Sequence, residues 1–336
     1  VTEEITGVDL VEWQLRVASG EPLPKRQDEL SINGWAMEAR LYAEDPAKGF
    51  LPSVGQLETL DVSFADRFET GVEEGDAISP FYDPMIAKVV VHAEDRKSAL
   101  KRLSQACGNV MCYPVKSNAW FLKRLCDQTD FVDGEVSTGF IEEHSDELLS
   151  PPSPSPMLLQ EAAERLIFDR WNAPSEWRAR KLDFDRGLVG FRLNRAPNTS
   201  VVIYLDDKPL PQFTFDLDLY DEATNYEVST GSVLGVSDAI YFENGAAFEF
   251  TRSQTNAGHH SAHDGDILSP MPGKIIAVEV AAGDAVTKGQ KLLTLEAMKM
   301  EHTLTAPFDG VVAELSAVAG AQVQVEALLA RIEAME

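Results

Sequence analysis

One interval organises the end of this chain. Pro270 returns as Pro307, Gly273 as Gly310, Gly283 as Gly320, Val286 as Val323 and Leu292 as Leu329. Glu296-Ala297-Met298 returns as Glu333-Ala334-Met335, so every pair lies 37 positions apart (307 − 270, 335 − 298). A unit this short has one apolar face and nothing of its own to bury it against, so neither copy forms a core alone. Glycines at matching places mark matching turns. The interval therefore predicts two copies of four short strands wrapped into one flattened all-β barrel with a pseudo-two-fold axis. Lys299 follows the last matched residue of the first copy. It falls on the link between the copies, which the symmetry makes a hairpin at one end of the barrel.

The rest of the chain is too long for a single core. At 336 residues, two or three domains are expected, and the patterning divides it accordingly. Val8, Val11, Leu15 and Ala18 recur at helical spacing until Gly20 and Pro22 stop the run. In "GWAMEARLYAED", Trp35, Met37, Ala39, Leu41 and Ala43 alternate with polar residues, the mark of a half-buried strand, and Arg40 falls on its polar face between Glu38 and Tyr42. "MIAKVVVHAED" (85–95) reads as a strand, and residues 96–106 and 117–127 as helices. "SPPSPSP" (150–156) reads as a linker, because proline removes a donor and holds its predecessor extended. Beyond it, one helix (157–168) precedes many short strand-like runs, "GLVGFRL", "SVVIYLDD", "QFTFDLDL", "NYEVST", "DAIYFEN" and "AAFEFT", a pattern for an antiparallel sheet or barrel. The polar stretch 252–266 reads as a tether. The expected architecture is multidomain α+β, with parts at 1–149, 150–251, a flexible linker at 252–265, and the barrel at 266–336.

Composition excludes several roles. Fifty-five acidic against 29 basic residues leave a formal charge of −26, the wrong sign for binding nucleic acid or an anionic membrane. No apolar run reaches the length of a membrane span. The three cysteines, Cys107, Cys112 and Cys126, are odd in number, close together and without a CxxC pair, which reads as reduced structural thiols. The compartment expected from them is a reducing, cytosol-like one. The first residues lack a starting Met and a signal-like region, and read like the middle of a longer chain.

A hairpin lysine is ordinarily a solvated charge. Lys299 differs because Met298 and Met300 flank it, and exposed thioethers suit an adaptable recognition surface. A primary amine at a tight turn is open to an enzyme that acylates it, which would replace the ammonium by a neutral amide on a long arm. "EAMKMEH" on this repeat resembles the biotinyl domain of biotin-dependent carboxylases, with Lys299 as the biotin attachment residue, Met298 and Met300 as recognition residues for biotin protein ligase, and biotin as covalent cofactor. The related lipoyl domain more often has aspartate before its lysine and alanine after it.

The first part extends the resemblance. "VTEEITGVDLVEWQLRVASGEPLP", "MEARLYAEDP" and "FYDPMIAK" are similar to the C-terminal part of the ATP-grasp biotin carboxylase domain. In that family ATP, with Mg2+ or Mn2+, and bicarbonate yield the carboxyl group placed on biotin. The resemblance makes Arg40 the active-site arginine, whose planar fork suits bicarbonate or a biotin enolate; otherwise it is a strand arginine in a surface ion pair. The family's glycine-rich ATP loop, metal-binding glutamates and general-base glutamate belong upstream of Val1, so this chain is expected to be one part of a subunit. The middle part has the position and layout of the BT domain, a helix plus antiparallel β-barrel that docks the biotin-bearing α subunit onto a carboxyltransferase β subunit; otherwise it is a spacer. "DFVDGEVSTGFIEEH" (130–144) and the histidine of the motif look more like 3-methylcrotonyl-CoA than propionyl-CoA carboxylases, with geranyl- and acetyl-CoA as further acyl substrates. A non-catalytic carrier and docking module is the alternative from another class. His259, His260 and His263 are close in sequence, but read as solvated linker rather than metal ligands, and "DLDLYDE" (216–222) lacks the spacing of a calcium loop.

Overall fold

The computed structural model describes residues 1–62, 64–80, 82–169, 200–205, 208–214, 233–234, 238–251, 265–297, 300–325 and 327–334. Two short helices, α1 (Thr2–Thr6) and α2 (Leu10–Ala18), lead into strand β1 (Trp35–Tyr42). Asp9 caps α2 by accepting from Glu12 N. Neither helix buries a residue, and Val11 and Leu15 stand about two-thirds exposed.

Strand β1 pairs antiparallel with β3 (Met85–Ala93), whose other edge takes β2 (Arg67–Thr70). Val89 lies opposite Ala39 and Ala87 opposite Leu41, so the apolar alternation of both strands falls on one face. Helix α3 (Arg96–Gly108) covers that face, started by Asp95, which accepts from Ser98 N. Helix α4 (Ala119–Asp127) packs on α3. Leu41, Ile86, Val89, Leu100 and Cys107 are among the residues sealed in this core. The strand and helix limits read from sequence agree to within three residues. Trp35 departs from its pattern: it is 51% exposed, because it opens the strand beyond the edge of the helical cover. Burial pushes the Cys112 and Cys126 thiols up to about 12, and that of Cys107 higher still, as inert structural thiols require.

The Pro-Ser stretch leads into α5 (Pro156–Asp169) without a break in the core. Trp120, Phe121, Phe140 and Leu148 from before it pack in one cluster with Leu158, Ala162 and Leu166 of α5 and with Tyr241, Phe248 and Phe250. The last three belong to a hairpin of β4 (Asp238–Glu243) and β5 (Ala246–Thr251), at the centre of a five-stranded antiparallel sheet. Glu243 pairs with Ala246, leaving Asn244 and Gly245 as a two-residue turn with positive φ at both. That turn is wedged into the first part: a Cβ on Gly245 would lie 2.7 Å from Cys107 O and 2.9 Å from the Trp120 nitrogen. Tyr113 Oη donates to Glu249 across the same junction at 2.9 Å. The expected strands "GLVGFRL" and "NYEVST", the "DLDLYDE" run, and His259, His260 and His263 of the tether lie outside the described residues.

The repeat is realised strand by strand. The last part contains β6 (Asp266–Leu268), β7 (Gly273–Val278), β8 (Ala285–Val286), β9 (Lys291–Ala297), β10 (Met300–Thr305), β11 (Gly310–Leu315), β12 (Gln322–Val323) and β13 (Leu328–Ala334). Strands β7, β8 and β9 map onto β11, β12 and β13 at the same 37-residue offset (310 − 273, 322 − 285, 328 − 291). The two sheets run β6-β13-β11-β8 and β10-β9-β7-β12, the same order under that mapping. Gly283 and Gly320 both turn with φ near +90°. The Gly283 and Gly320 nitrogens donate to Val312 O and Ile275 O, again symmetry mates. Gly273 and Gly310 have no space for a side chain, since a Cβ would lie 2.6 Å from Glu296 O and 2.3 Å from Glu333 O respectively. The two apolar clusters of the barrel gather around Ile275, Leu293 and Leu295, and around Val286, Leu292 and Val312.

Candidate functional site

Strands β9 and β10 form the hairpin that joins the two copies. Thr294 lies opposite Thr303, Leu295 opposite His302, Glu296 opposite Glu301 and Ala297 opposite Met300. Only positions 298 and 299 separate the paired ends. Met298 and Lys299 themselves lie outside the described residues, and Met300 is described as the first residue of β10. The strands leading to the link are anchored, because Leu293, Leu295 and Ala297 all point into the barrel core. Glu296 and Glu301 face water. These two carboxylates sit directly opposite each other, and like charges so placed repel, while Lys274 on β7 flanks Glu296 from the other side.

Two polar atoms under this hairpin lack partners among the described residues, Thr294 Oγ1 and His302 Nε2. His302 shares the inward face with Leu295 and is 8% exposed. Burial holds its pKa below the ordinary 6.5, so the neutral imidazole is the resident form. Nothing in the sequence marked this histidine as interior.

Arg40 lies on the exposed face of β1, as its alternation predicts. Its guanidinium is 61% exposed and approaches Glu38 only to 3.7 Å, outside hydrogen-bonding distance. Lys88 of β3 stands opposite it in register, and Glu69 of β2 opposite Lys88 at 3.9 Å. A planar fork held by a rigid strand, beside a second cation, can receive an anion bidentately without first giving up a strong partner.

A cavity of about 860 Å³ lies between the end of β1 and the barrel. One wall has Tyr42, two residues along β1 from Arg40, with Glu44, Tyr82 and Asp83. The other has Lys274, with Glu296 and Ala297 at the end of the hairpin strand. Glu44 was not singled out by any motif; it is 9% exposed on the short strand Glu44–Asp45, and burial, aided by the Asp83 carboxylate, pushes it up to about 7. No group of three or more metal-ligating side chains occurs among the described residues, nor a helix long and apolar enough to cross a membrane.

Comparison with known proteins gives the architecture its family. Residues 38–143 match the family described as "Biotin carboxylase C-terminal domain", and residues 265–332 match "Biotin-requiring enzyme". The chain is 36% identical to methylcrotonoyl-CoA carboxylase subunit alpha of Dictyostelium discoideum, over 94% of its own length and 51% of that protein. It belongs to the biotin-dependent carboxylases. A propionyl-CoA carboxylase alpha chain of Ruegeria pomeroyi is 31% identical over 99% of this chain and 56% of the relative. The chain thus spans about half the length of these curated relatives. The solved biotin carboxylase domain of 2-oxoglutarate carboxylase from Hydrogenobacter thermophilus is 39% identical over 46% of this chain and 34% of that one, with a TM-score of 0.44. Within the family assignment, Arg40 falls inside the first matched region and the β9–β10 hairpin inside the second. Biotin is the covalent cofactor of such a barrel, and the hairpin fits one: its link is two residues long, its stem is packed, and its outer flanks are charged and solvated.

Proposed function

We propose that this chain is the C-terminal part of the biotin-bearing α subunit of an acyl-CoA carboxylase, with biotin attached to Lys299 and 3-methylcrotonyl-CoA as the acyl substrate of the assembled enzyme. The observation that supports the reading is the pairing of Ala297 with Met300, which leaves a two-position link between β9 and β10 on a barrel packed by its own duplicate. A short link on a packed stem is what a carrier needs if it is to present one group to two separate sites. Methylcrotonoyl-CoA carboxylase α subunits reach 36% identity with this chain against 31% for the propionyl-CoA carboxylase α chains, which match it over as much of its length; that margin in identity supports the choice of substrate.

Amide-linked biotin supplies a ureido nitrogen that accepts and releases the carboxyl group. The chain's own residues do the rest of what falls to this part. Met298 and Met300 provide apolar contacts for biotin protein ligase, and Lys299 Nζ is the acylated atom. Arg40 offers its fork to bicarbonate or to the enolate form of the ureido group, where a preorganised cation offsets developing charge. ATP and its Mg2+ or Mn2+ are bound elsewhere in the full-length subunit. The sheet of β4 and β5 with α5 docks the carboxyltransferase β subunit. Coexpression with biotin ligase, followed by intact and peptide mass analysis, tests the attachment: biotin on Lys299 and loss of avidin binding in Lys299→Arg are expected, and biotin elsewhere refutes it. Carboxylation by the full α subunit with its β partner across a panel of acyl-CoAs tests the substrate; preference for propionyl-CoA would overturn it.

A further inference from the structure

The segment "DFVDGEVSTGFIEEH" (130–144) begins and ends on residues that meet in the fold. His144 is the single residue between two one-turn helices, Phe140–Glu143 and Ser145–Leu148. Its Nδ1 lies 3.0 Å from Phe140 O, and its Nε2 lies 3.3 Å from Oδ2 of Asp130, on the helix Thr129–Asp133. A carbonyl and a carboxylate only accept, whereas a neutral imidazole has one N–H to give. Both contacts are made together only by the doubly protonated ring. That ring is stacked on Phe140, with centroids 4.3 Å apart and planes at 21°, a face that favours a cation. The Phe140 carbonyl first, then Asp130 from the facing helix and Glu147 from the helix that follows, raise its pKa above the ordinary 6.5. The α3 cations that reach this corner are committed: Arg96 donates to Phe131 O and Val132 O, and Lys97 pairs with Asp133.

We propose that His144 is an imidazolium latch: doubly protonated, it pins the 140–148 corner to the Thr129–Asp133 helix, and loss of one proton frees that corner. Whichever nitrogen gives its proton to water, one of the two contacts loses its donor. Phe140 and Leu148 of the corner are buried in the aromatic cluster beneath the middle sheet. Phe131 of the facing helix packs against both that cluster and the core under β1 and β3, and meets the Phe140 ring edge-on at 5.8 Å. The latch thus stands where the first part hands over to the segment leading into α5. Because the folded pKa is the higher one, its contribution to stability is complete below 6.5 and is lost as pH rises through the folded value. Gln128 donates to Glu147 at 2.7 Å, a second tie between the same pieces that does not titrate with the ring. Release therefore loosens the corner without unfolding the protein.

The test uses the full chain with isotope-labelled histidine. Imidazole nitrogen NMR spectra, assigned with His144→Gln, should show both ring nitrogens protonated before a transition that lies above the ordinary 6.5, and Asp130→Asn should move that midpoint down. The His144 and Leu148 amides donate to Phe140 O and His144 O, so their exchange reads the corner directly. Corrected for the intrinsic pH dependence of exchange, their protection should fall about fivefold across the midpoint and stay level in His144→Gln. Asp130 is 54% exposed and asparagine keeps its shape, so that variant folds. A midpoint at or below 6.5, no response to Asp130→Asn, or protection that does not follow the midpoint would each overturn the latch. None of these results depends on Lys299 or on the acyl substrate.

Discussion

Replacing Glu44 by Gln should stabilise the protein increasingly as pH rises from about 4.5 to about 7, and in full above that. Glu44 is 9% exposed beside fully buried Ala43, and burial first, then repulsion from Asp83, raises its pKa from 4.5 to about 7. The folded state therefore holds this proton more tightly than the unfolded chain does. Below about pH 4.5 both states are protonated and the side chain costs nothing electrostatically. Between there and about pH 7 the unfolded chain ionises first, so stability falls as pH rises; above 7 both states are ionised and the loss is complete. At about 1.4 kcal/mol per tenfold change in proton affinity, the cost reaches about 3 kcal/mol. Glutamine preserves the volume and removes the charge, so Glu44→Gln should recover most of that sum near pH 8 and almost none near pH 4.5. Urea unfolding at the two pH values, followed by tryptophan fluorescence, measures it. An equal change at both pH values, or destabilisation near pH 8, would show that the carboxylate is held by compensating partners and that the burial argument is wrong.

His302 carries the opposite dependence: its folded pKa is lowered by burial, so the barrel should lose stability as pH falls through about 6.5, and His302→Leu should remove that acid sensitivity in thermal melts. Gly273→Ala and Gly310→Ala should each destabilise the barrel by about 1–3 kcal/mol, because the added Cβ meets Glu296 O or Glu333 O; unequal losses would show that the two copies are not energetic equivalents. In the full-length subunit, Arg40→Ala should lower biotin carboxylation by about 10²–10³ while shifting stability by less than about 0.5 kcal/mol, since its contact with Glu38 is long and solvated; near-normal turnover would return Arg40 to a surface ion pair.

What could be read from the sequence was what repeats or alternates. The interval between Pro270 and Pro307 survives as identical strand orders in two sheets, because turns and apolar faces recur together. Arg40 could be placed on the polar face of β1 because a strand's alternation has only two phases. Burial that arises between distant segments left no such trace. Glu44 stands in an acidic "AED" and looks solvated, yet its surroundings come from the 80–84 loop and the strand pairing it shares with Leu51–Pro52. His302 belongs to a motif with charged neighbours, and only the register opposite Leu295 turns it inward. The Pro-Ser stretch announced a separation in composition, whereas the aromatic cluster of Trp120, Phe140, Tyr241 and Phe250 runs beneath it.

The turn at Asn244 and Gly245 has a mechanical consequence. Its backbone is seated between the end of α3 and the start of α4 with no room for a methyl group, so the junction has no slack in which one side could swivel. A protein that gripped the outer face of the middle sheet would hold the Arg40 strand at a set angle as well. The hairpin acts as a keyed axle: the middle sheet cannot turn without carrying the end of α3 and the start of α4 with it.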